Sequence, residues 1–490
     1  MQYGFLIDHR SCIGCHACTV ACKAENDVPV GNFRTWVKYA ETGRFPDIRR
    51  HFAVLRCNHC TNAPCVTICP VNALEKRTDG IVDLDREACI GCRACMQACP
   101  YDAIYLNEDH GAVEKCHFCA HRIEGGLDPA CVVVCPTHAI VHGDLHDPAS
   151  RISRMVSELD TEVRRPEQET DPNVHYVGHE PSMLAPGSAA RPSMYMFSDR
   201  PAAKPDAWPE GAPVETDNTT VLDVGHHIEW RWPVALYLVT KGIAAGAAML
   251  APFVAVLGVT GLAARYLPEI LALVFTGVTT VLLAGDLGRP LAFFRVLTRP
   301  NWSSWLVKGA WVLTGFAALE TVTLLARLAG LDLLADGLRW AGLPAGGLAA
   351  GYTALLLAQC EGRDLWQGPW VMSHLLVQAV LAGSASLLMF APAADRMQFL
   401  FVVAATAHVL LAAGERLRTH DTANARQAAA FLGTVRLGRS RAYRDALLLG
   451  GIGAALCALF APVLVAAAAL PGLYLYEWAF IRAGQLPPLS

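Results

Sequence analysis

The chain reads as a small α+β domain followed by an all-α polytopic membrane helix bundle, and three observations carry that reading. Sixteen of the 18 cysteines lie before residue 136. The last 260 residues are dominated by Ala, Leu, Val and Gly, with only Cys360 and Cys457 among them. Between the two halves, from about Asp147 to Gly225, the chain loses both cysteine and apolar periodicity. A length of 490 residues leaves room for two or three domains, set here at 1–150, 151–229 and 230–490. A formal charge of -4, with no basic stripe interleaved with aromatics, argues against nucleic acid as a partner.

The cysteines of the first domain sort into four runs. Cys12, Cys15, Cys18 and Cys22 form C-x2-C-x2-C-x3-C, and Cys89, Cys92, Cys95 and Cys99 repeat that spacing and end in Pro100. Cys57, Cys60, Cys65 and Cys69 with Pro70, and Cys116, Cys119, Cys131 and Cys135 with Pro136, stretch the gap before the third cysteine. Three thiolates on a tight loop wrap three corners of a cubane cluster, while the fourth sits on the following short helix and reaches the neighbouring cluster. Zinc would be satisfied by two separated C-x2-C pairs and gives no reason for a third thiolate or a closing proline. A secreted disulfide module is the other use of so many cysteines. The start MQYGFLIDHR, however, shows no basic n-region, apolar stretch and cleavage site. Sixteen thiolates fill four [4Fe-4S] clusters with none left over.

Smaller features agree. Gly14 and Gly91 let backbone amides approach cluster sulfurs. Pro70, Pro100 and Pro136 stop the helix after the crossing cysteine. The first run has Lys23 instead, so its helix is expected to continue through ACKAEND; the plain alternative is a solvent-facing lysine. With every corner filled, His16, His59, His117, His121 and His138 are expected to hydrogen-bond sulfur or backbone, or to face a partner, rather than to ligate iron.

On these sixteen cysteines in order, residues 5–145 resemble the ferredoxin-like electron-transfer subunit, with four [4Fe-4S] clusters, of the molybdopterin oxidoreductases. Spacing alone leaves the assignment within each pair of runs open. The resemblance implies outer runs with outer and inner with inner: Cys12, Cys15, Cys18 with Cys135; Cys116, Cys119, Cys131 with Cys22; Cys57, Cys60, Cys65 with Cys99; Cys89, Cys92, Cys95 with Cys69. The implied result is a linear wire.

The segment 151–229 is rich in proline, glycine and charge and reads as an extended connection. It also carries HYVG near Tyr176, MYMF near Tyr195, and Trp208, so it is expected to be partly ordered, with plain disorder the alternative. ISRMVSELDTEV, residues 152–163, reads as one short amphipathic helix.

After Trp230-Arg231-Trp232 the chain runs apolar to about Thr260, longer than the roughly 20 residues a spanning helix needs. Further spans are expected at about 266–285, 304–328, 343–360, 369–391, 397–414 and 443–468. The tail from Pro471 is either an eighth span or a re-entrant helix, giving seven or eight. Small residues such as Gly242, Ala245 and Gly246 allow close helix contact.

This half is similar to the polysulfide-reductase-type (NrfD-like) membrane anchor subunit of the same enzymes. The residues that carry the similarity are the tryptophan-rich entry with Tyr237, the Gly-Ala-Ala-Gly-like run at 242–246, Asp286-Leu287-Gly288-Arg289-Pro290, and the closing Ala483-Gly484-Gln485 with Pro488. The two subunits are usually separate chains, so a fusion is expected here. The resemblance implies a quinone, menaquinone or ubiquinone, as the membrane partner of the wire, with a large molybdopterin-containing catalytic subunit at the other end and further small subunits alongside. Candidate headgroup-binding residues are His227, Trp230, Tyr237 and Arg289. Candidate proton-carrying residues are Glu320, Lys241 and Asp286. A lysine inside a span is costly unless paired, which marks Lys241 as functional by default, with snorkelling the plain alternative. Asp286 and Arg289 are expected to pair and hold their loop.

The expected location is a bacterial inner membrane, crossed many times. Loops holding Arg289, Arg295, Arg299 and Lys308, and Arg416, Arg418, Arg426, Arg436, Arg439, Arg441 and Arg444, outweigh opposite loops with Arg265, Arg327, Arg339 and Arg396. The positive-inside rule then faces the cysteine-rich domain to the cytoplasm, with a periplasmic facing as the alternative. The expected function is electron transfer and membrane anchoring without catalysis on the main substrate. The alternative is the equivalent subunit of a quinone-linked nickel-iron hydrogenase or another ion-translocating redox complex.

Overall fold

The computed structural model describes residues 1–186, 188–189, 218–225 and 227–489; MYMF around Tyr195 and Trp208 lie outside the described residues. The chain divides into two compact units: Met1–His227 with Cys360–Arg363 and Pro487–Ser490, and Ile228–Gln359 with Asp364–Leu486.

The first unit is an α+β ferredoxin-like domain of short elements: β1 (Tyr3–Asp8), α1 (Ala17–Glu25), β2 (Thr35–Thr42), β3 (Arg49–Arg56), α2 (Pro64–Ile68), β4 (Leu74–Lys76), β5 (Val82–Leu84), α3 (Ala94–Ala98), β6 (Ile104–Asn107), β7 (Ala112–Lys115), α4 (Ala120–Glu124), α5 (Ala130–Val133), β8 (Ile140–Asp144), α6 (Arg151–Glu158), β9 (Val174–Val177), α7 (Pro181–Leu184) and β10 (Thr219–Leu222). β1 runs between β8, antiparallel, and β9, parallel. Its alternation sorts two cores. Phe5 and Ile7 pack with Trp36, Val54 and Tyr176, while Leu6 packs on the other face with Val141, Ile152 and Val177. A second sheet, in the order β10-β2-β3, and two hairpins, β4-β5 and β6-β7, complete the unit.

The described parts of segment 151–229 therefore belong to the sheets. Tyr176 is fully buried in β9, and β10 pairs antiparallel with β2. Ser150 caps α6 by accepting from the Ser153 amide at 3.1 Å. The helix stops at Glu158, short of the expected 163, because Glu162 exchanges backbone hydrogen bonds with Tyr176, at 3.0 and 2.8 Å. Two distant segments close the unit. Arg363 Nε donates to Gln97 Oε1 at 2.9 Å, and Arg164 Nη2 donates to the Leu489 carbonyl at 2.7 Å.

The second unit is helical: α8 (Trp232–Leu250), α9 (Gly261–Gly285), α10 (Arg295–Thr298), α11 (Trp305–Leu328), α12 (Asp332–Ala358), α13 (Val371–Leu388), α14 (Asp395–Leu417), α15 (Ala423–Leu432), α16 (Ala442–Asp445), a π-helical segment (Ala446–Gly453), α17 (Ala454–Phe460) and α18 (Val465–Gln485). Among the described residues, eight helices are long and apolar enough to cross a membrane, the last from Pro462 to Gln485. The seventh ends at Phe460, not 468, where Pro462 withholds an amide and the chain turns. α12 starts at Asp332, eleven residues before the expected 343, so Arg339 lies inside a span rather than in a loop.

α8 is the central helix, packed against α9, α12, α13 and α18. Gly246 permits the tightest of these approaches: a side chain there would overlap the Ala379 carbonyl, and one at Gly383 would overlap Gly246. Gly246→Val is expected to separate α8 from α13, costing about 1–3 kcal/mol or more. Thermal unfolding of the detergent-solubilised protein measures it, with Gly347→Val, where nothing stands within 4 Å, as the neutral comparison.

Candidate functional site

Three cysteine runs end in the same local device. Cys69 and Cys99 take extended backbone at the ends of α2 and α3, and a proline follows each. Asn72, Asp102 and His138, each three residues after the last cysteine of a run, take φ of 52°, 51° and 52°. That left-handed step turns the next amide back: Ala73 N donates to Cys69 Sγ at 3.3 Å and Ala139 N to Cys135 Sγ at 3.2 Å. Amide donors of this kind favour the thiolate and tune whatever it binds. Gly91 N likewise lies 3.4 Å from Cys89 Sγ. Gly14 has φ of 70°, and a Cβ there would stand 2.5 Å from the Phe52 ring. The run without a proline differs as expected. α1 continues to Glu25, and Lys23, rather than facing solvent alone, donates to the carbonyls of Pro29 at 3.0 Å and Asn32 at 2.6 Å.

The fold brings thiols together across runs. One cavity is lined by Cys116, Cys119 and Cys131, and by Cys22 from α1. Asn26 Nδ2 reaches Cys22 Sγ at 3.7 Å and Cys119 Sγ at 4.0 Å. Arg34 Nη1 donates to Asn26 Oδ1 at 3.2 Å, while its Nη2 pairs with Glu114 at 3.0 Å. Burial, reinforced by Cys116, Cys131 and Cys119, pushes the Cys22 thiol up. Burial, with Cys57 and Cys99 nearby, pushes Cys60 up to about 12; burial, with Cys69 and Cys89 nearby, does the same to Cys92. Burial raises Cys12, and Cys135 and Cys15 add to it. Thiols this buried hold protons unless positive charge shares the site. Among the described residues, no three His, Cys, Asp or Glu converge on one metal ion. A cubane makes the opposite demand, because each thiolate binds its own iron and the sulfurs surround an open space. The cavity walled by Cys22, Cys116, Cys119 and Cys131 fits that demand.

The histidines among the cysteines serve the backbone and the surface. His59 Nδ1 accepts from Val82 N at 3.1 Å, His117 Nδ1 accepts from Cys119 N at 3.1 Å, and His121 Nε2 meets Glu25 at 2.8 Å. Burial holds His59 far below the usual imidazole range.

In the second unit the candidate residues fall in separate places. Trp230 is buried and stacks on Trp366 with ring centroids 5.4 Å apart. Gln485 Oε1 accepts from Trp230 N at 3.0 Å, and any side chain at Gly484 would overlap the Trp366 indole, which accounts for the closing Ala-Gly-Gln. Lys241 does not snorkel. Its Nζ donates to Thr353 Oγ1 and, at 3.1 Å, to the Ala350 carbonyl, and stands 4.6 Å over the Tyr352 ring and 6.0 Å from that of Tyr237. Glu320 is 3% exposed beside a pair absent from the sequence-derived set, Arg339 and Glu269, which bond at 2.6 and 3.1 Å. A Cβ at Gly342 would stand 3.1 Å from Glu320 Oε1, so that glycine makes room for the carboxylate. Asp286 and Arg289 are half-buried in the loop after α9, and His227 is exposed and belongs to the first unit.

Sequence reasoning missed a further cluster. His374 Nε2 and His408 Nδ1 are 2.8 Å apart, and Tyr476 Oη meets His374 Nδ1 at 3.1 Å. All three are buried, and His408 Nε2 has no protein partner. Next to Tyr476, Glu477 bonds Gln378 and neighbours Lys241. Two histidines inside apolar runs, at 374 and 408, are the signal that could have found it.

Two family descriptions match the chain: a 4Fe-4S dicluster domain over residues 48–145, and Polysulphide reductase, NrfD, over residues 220–412. A tetrathionate reductase subunit of Salmonella typhimurium is 44% identical over 189 residues, 38% of this chain and 76% of that protein. The thiosulfate reductase electron transfer subunit of Salmonella typhi is 46% identical over 160 residues, 32% of this chain and 82% of that protein. A polysulfide reductase polypeptide of Wolinella succinogenes is 40% identical over 163 residues, 33% of this chain and 85% of that protein.

Proposed function

We propose, on the premise that this protein belongs to the family of iron–sulfur electron-transfer subunits typified by these relatives and fused here to a polysulfide-reductase NrfD-type membrane domain, that it holds four [4Fe-4S] clusters and exchanges electrons with a membrane quinone. The chain is the electron-transfer and membrane-anchor subunit of a molybdopterin-oxidoreductase-type respiratory complex and a multi-pass membrane protein, not the catalytic subunit. The observation that carries the four-cluster reading is the cavity in which Cys22 joins three cysteines of a run about a hundred residues away.

When bound, the clusters supply one-electron carriers, and a quinone takes two electrons and two protons. The sixteen cysteines hold the carriers in the four sets that the sequence resemblance implies. Cys22, Cys69, Cys99 and Cys135 each tie one run to another. For the quinone, Trp230, Tyr237, Arg289 and His227 are the headgroup-binding candidates. Tyr476 and His374 hold a hydroxyl and an imidazole in hydrogen-bond contact, a pair able to pass a proton at His374 Nδ1. Lys241, Glu320 and Asp286 are the proposed proton-carrying groups, now with Glu477 beside Lys241. A boundary between the two halves at about 229, and a cytoplasmic facing drawn from the arginine-rich loops, belong to the same proposal.

The complex purified through this chain from its native membrane tests the reading. About sixteen iron atoms per chain, molybdenum or tungsten near one per complex, and reduction of the iron–sulfur signals by added quinol are expected. Nickel without molybdenum or tungsten would move the assignment to a hydrogenase. Iron–sulfur signals that quinol cannot reduce would remove the quinone reading.

A further inference from the structure

Arg56, the last residue of β3, is a buried cation that meets no carboxylate among the described residues. Its side chain is fully buried and lies 4.4 Å from the Phe5 ring centroid. Nη1 donates to Cys131 Sγ at 3.2 Å, and neither Nε nor Nη2 has a partner. Among the described residues no carboxylate pairs with it. Arg34, lining the same cavity, is already matched by Glu114 at 3.0 Å. A guanidinium is not buried alone without large cost, so the charge that answers Arg56 comes from the cysteine thiolates around it and what they bind.

The thiols that act most on Arg56 are, in order, Cys131, Cys116 and Cys18, and His59 and Tyr176 also neighbour it. Cys131 and Cys116 line the cavity with Cys22 and Cys119, whereas Cys18 belongs to the run of Cys12 and Cys15. Arg56 therefore stands where two cysteine sets meet, in direct contact with one of them. We propose that Arg56 sets the step in reduction potential between the two clusters these sets hold, raising most the one bound by Cys22, Cys116, Cys119 and Cys131. The inference rests on the four-cluster reading above. Reduction adds one negative charge to a site, so a fixed cation lowers the free energy of the reduced form, and the effect weakens with distance. The hydrogen bond from Nη1 also draws charge from the Cys131 sulfur. Both act on the contacted set first and on the Cys18 set less; Cys57 follows Arg56 directly in the chain, so the set of Cys89, Cys92, Cys95 and Cys69 is the internal standard.

Arg56→Gln and Arg56→Lys in the full complex test this, with iron content and a redox titration followed by electron paramagnetic resonance. In Arg56→Gln the reduction equilibrium of one cluster is expected to fall at least tenfold, which is 59 mV for one electron. A second cluster falls by a smaller factor, the one bound by Cys89, Cys92, Cys95 and Cys69 does not move, and Arg56→Lys restores most of the loss. Unchanged midpoints with iron intact would overturn the proposal, as would a lysine variant that titrates like the glutamine one. Selective loss of one cluster in both variants would make Arg56 an assembly residue and overturn it too. If the glutamine variant does not accumulate, Arg56→Met replaces it as the neutral variant and is judged by the same outcomes. Wild-type complex with far fewer than about sixteen iron atoms would instead reject the four-cluster reading.

Discussion

Cys22→Ser is expected to lower the iron content from about sixteen to about twelve atoms per chain and to abolish electron flow between quinol and the catalytic partner. A serine hydroxyl is far less acidic and less soft than a thiol, so the fourth corner of the site walled by Cys116, Cys119 and Cys131 is left to water. The loss falls on the set of a distant run, not on Cys12, Cys15 and Cys18, which flank Cys22 in sequence. Iron analysis and the count of paramagnetic clusters in the purified complex measure it. Cys457→Ser serves as the control, since that thiol packs half-buried among apolar side chains in α17. Full iron retention in Cys22→Ser would break the cross-run assignment of all four sets.

The second large effect is in the bundle. Arg339→Leu strips Glu269, which is wholly buried, of both hydrogen bonds to its cation and leaves Glu320 facing a second bare carboxylate. Breaking a buried pair from one side costs about 3–5 kcal/mol, whereas replacing both partners by apolar groups is close to neutral. Thermal unfolding of the solubilised protein should therefore show a steep loss for Arg339→Leu and recovery of most of it in the double variant Arg339→Leu, Glu269→Leu. Equal losses in the single and double variants would show that the Arg339 bonds to the Ala264 and Arg265 carbonyls, both at 2.9 Å, matter more than the ion pair.

How much of this was legible in the sequence follows from where each constraint lies. The cysteine runs are legible because one residue type recurs at fixed short spacing, and Pro70, Pro100 and Pro136 mark the turn that aims an amide at sulfur. Lys23 marks, by the absence of proline, the helix that runs on. In the bundle the relevant partners are far apart along the chain: His374 and His408 by 34 positions, His374 and Tyr476 by 102, Arg339 and Glu269 by 70. Each alone looks like an ordinary residue in an apolar run, and only the packing makes a cluster of them. The early start of α12 was hidden for the same reason, since hydropathy penalises Arg339 as a free charge when Glu269 neutralises it.

The way Arg164 finds its partner sets an order of events during synthesis. The carbonyl it donates to lies 325 positions later, and Arg363 reaches back 266 positions to Gln97. A nascent cysteine-rich unit emerging from the ribosome has its strands but not these two closing segments, which follow only after the apolar helices have been translated. The cysteine-rich unit therefore reaches its full set of contacts only once the whole chain has been made.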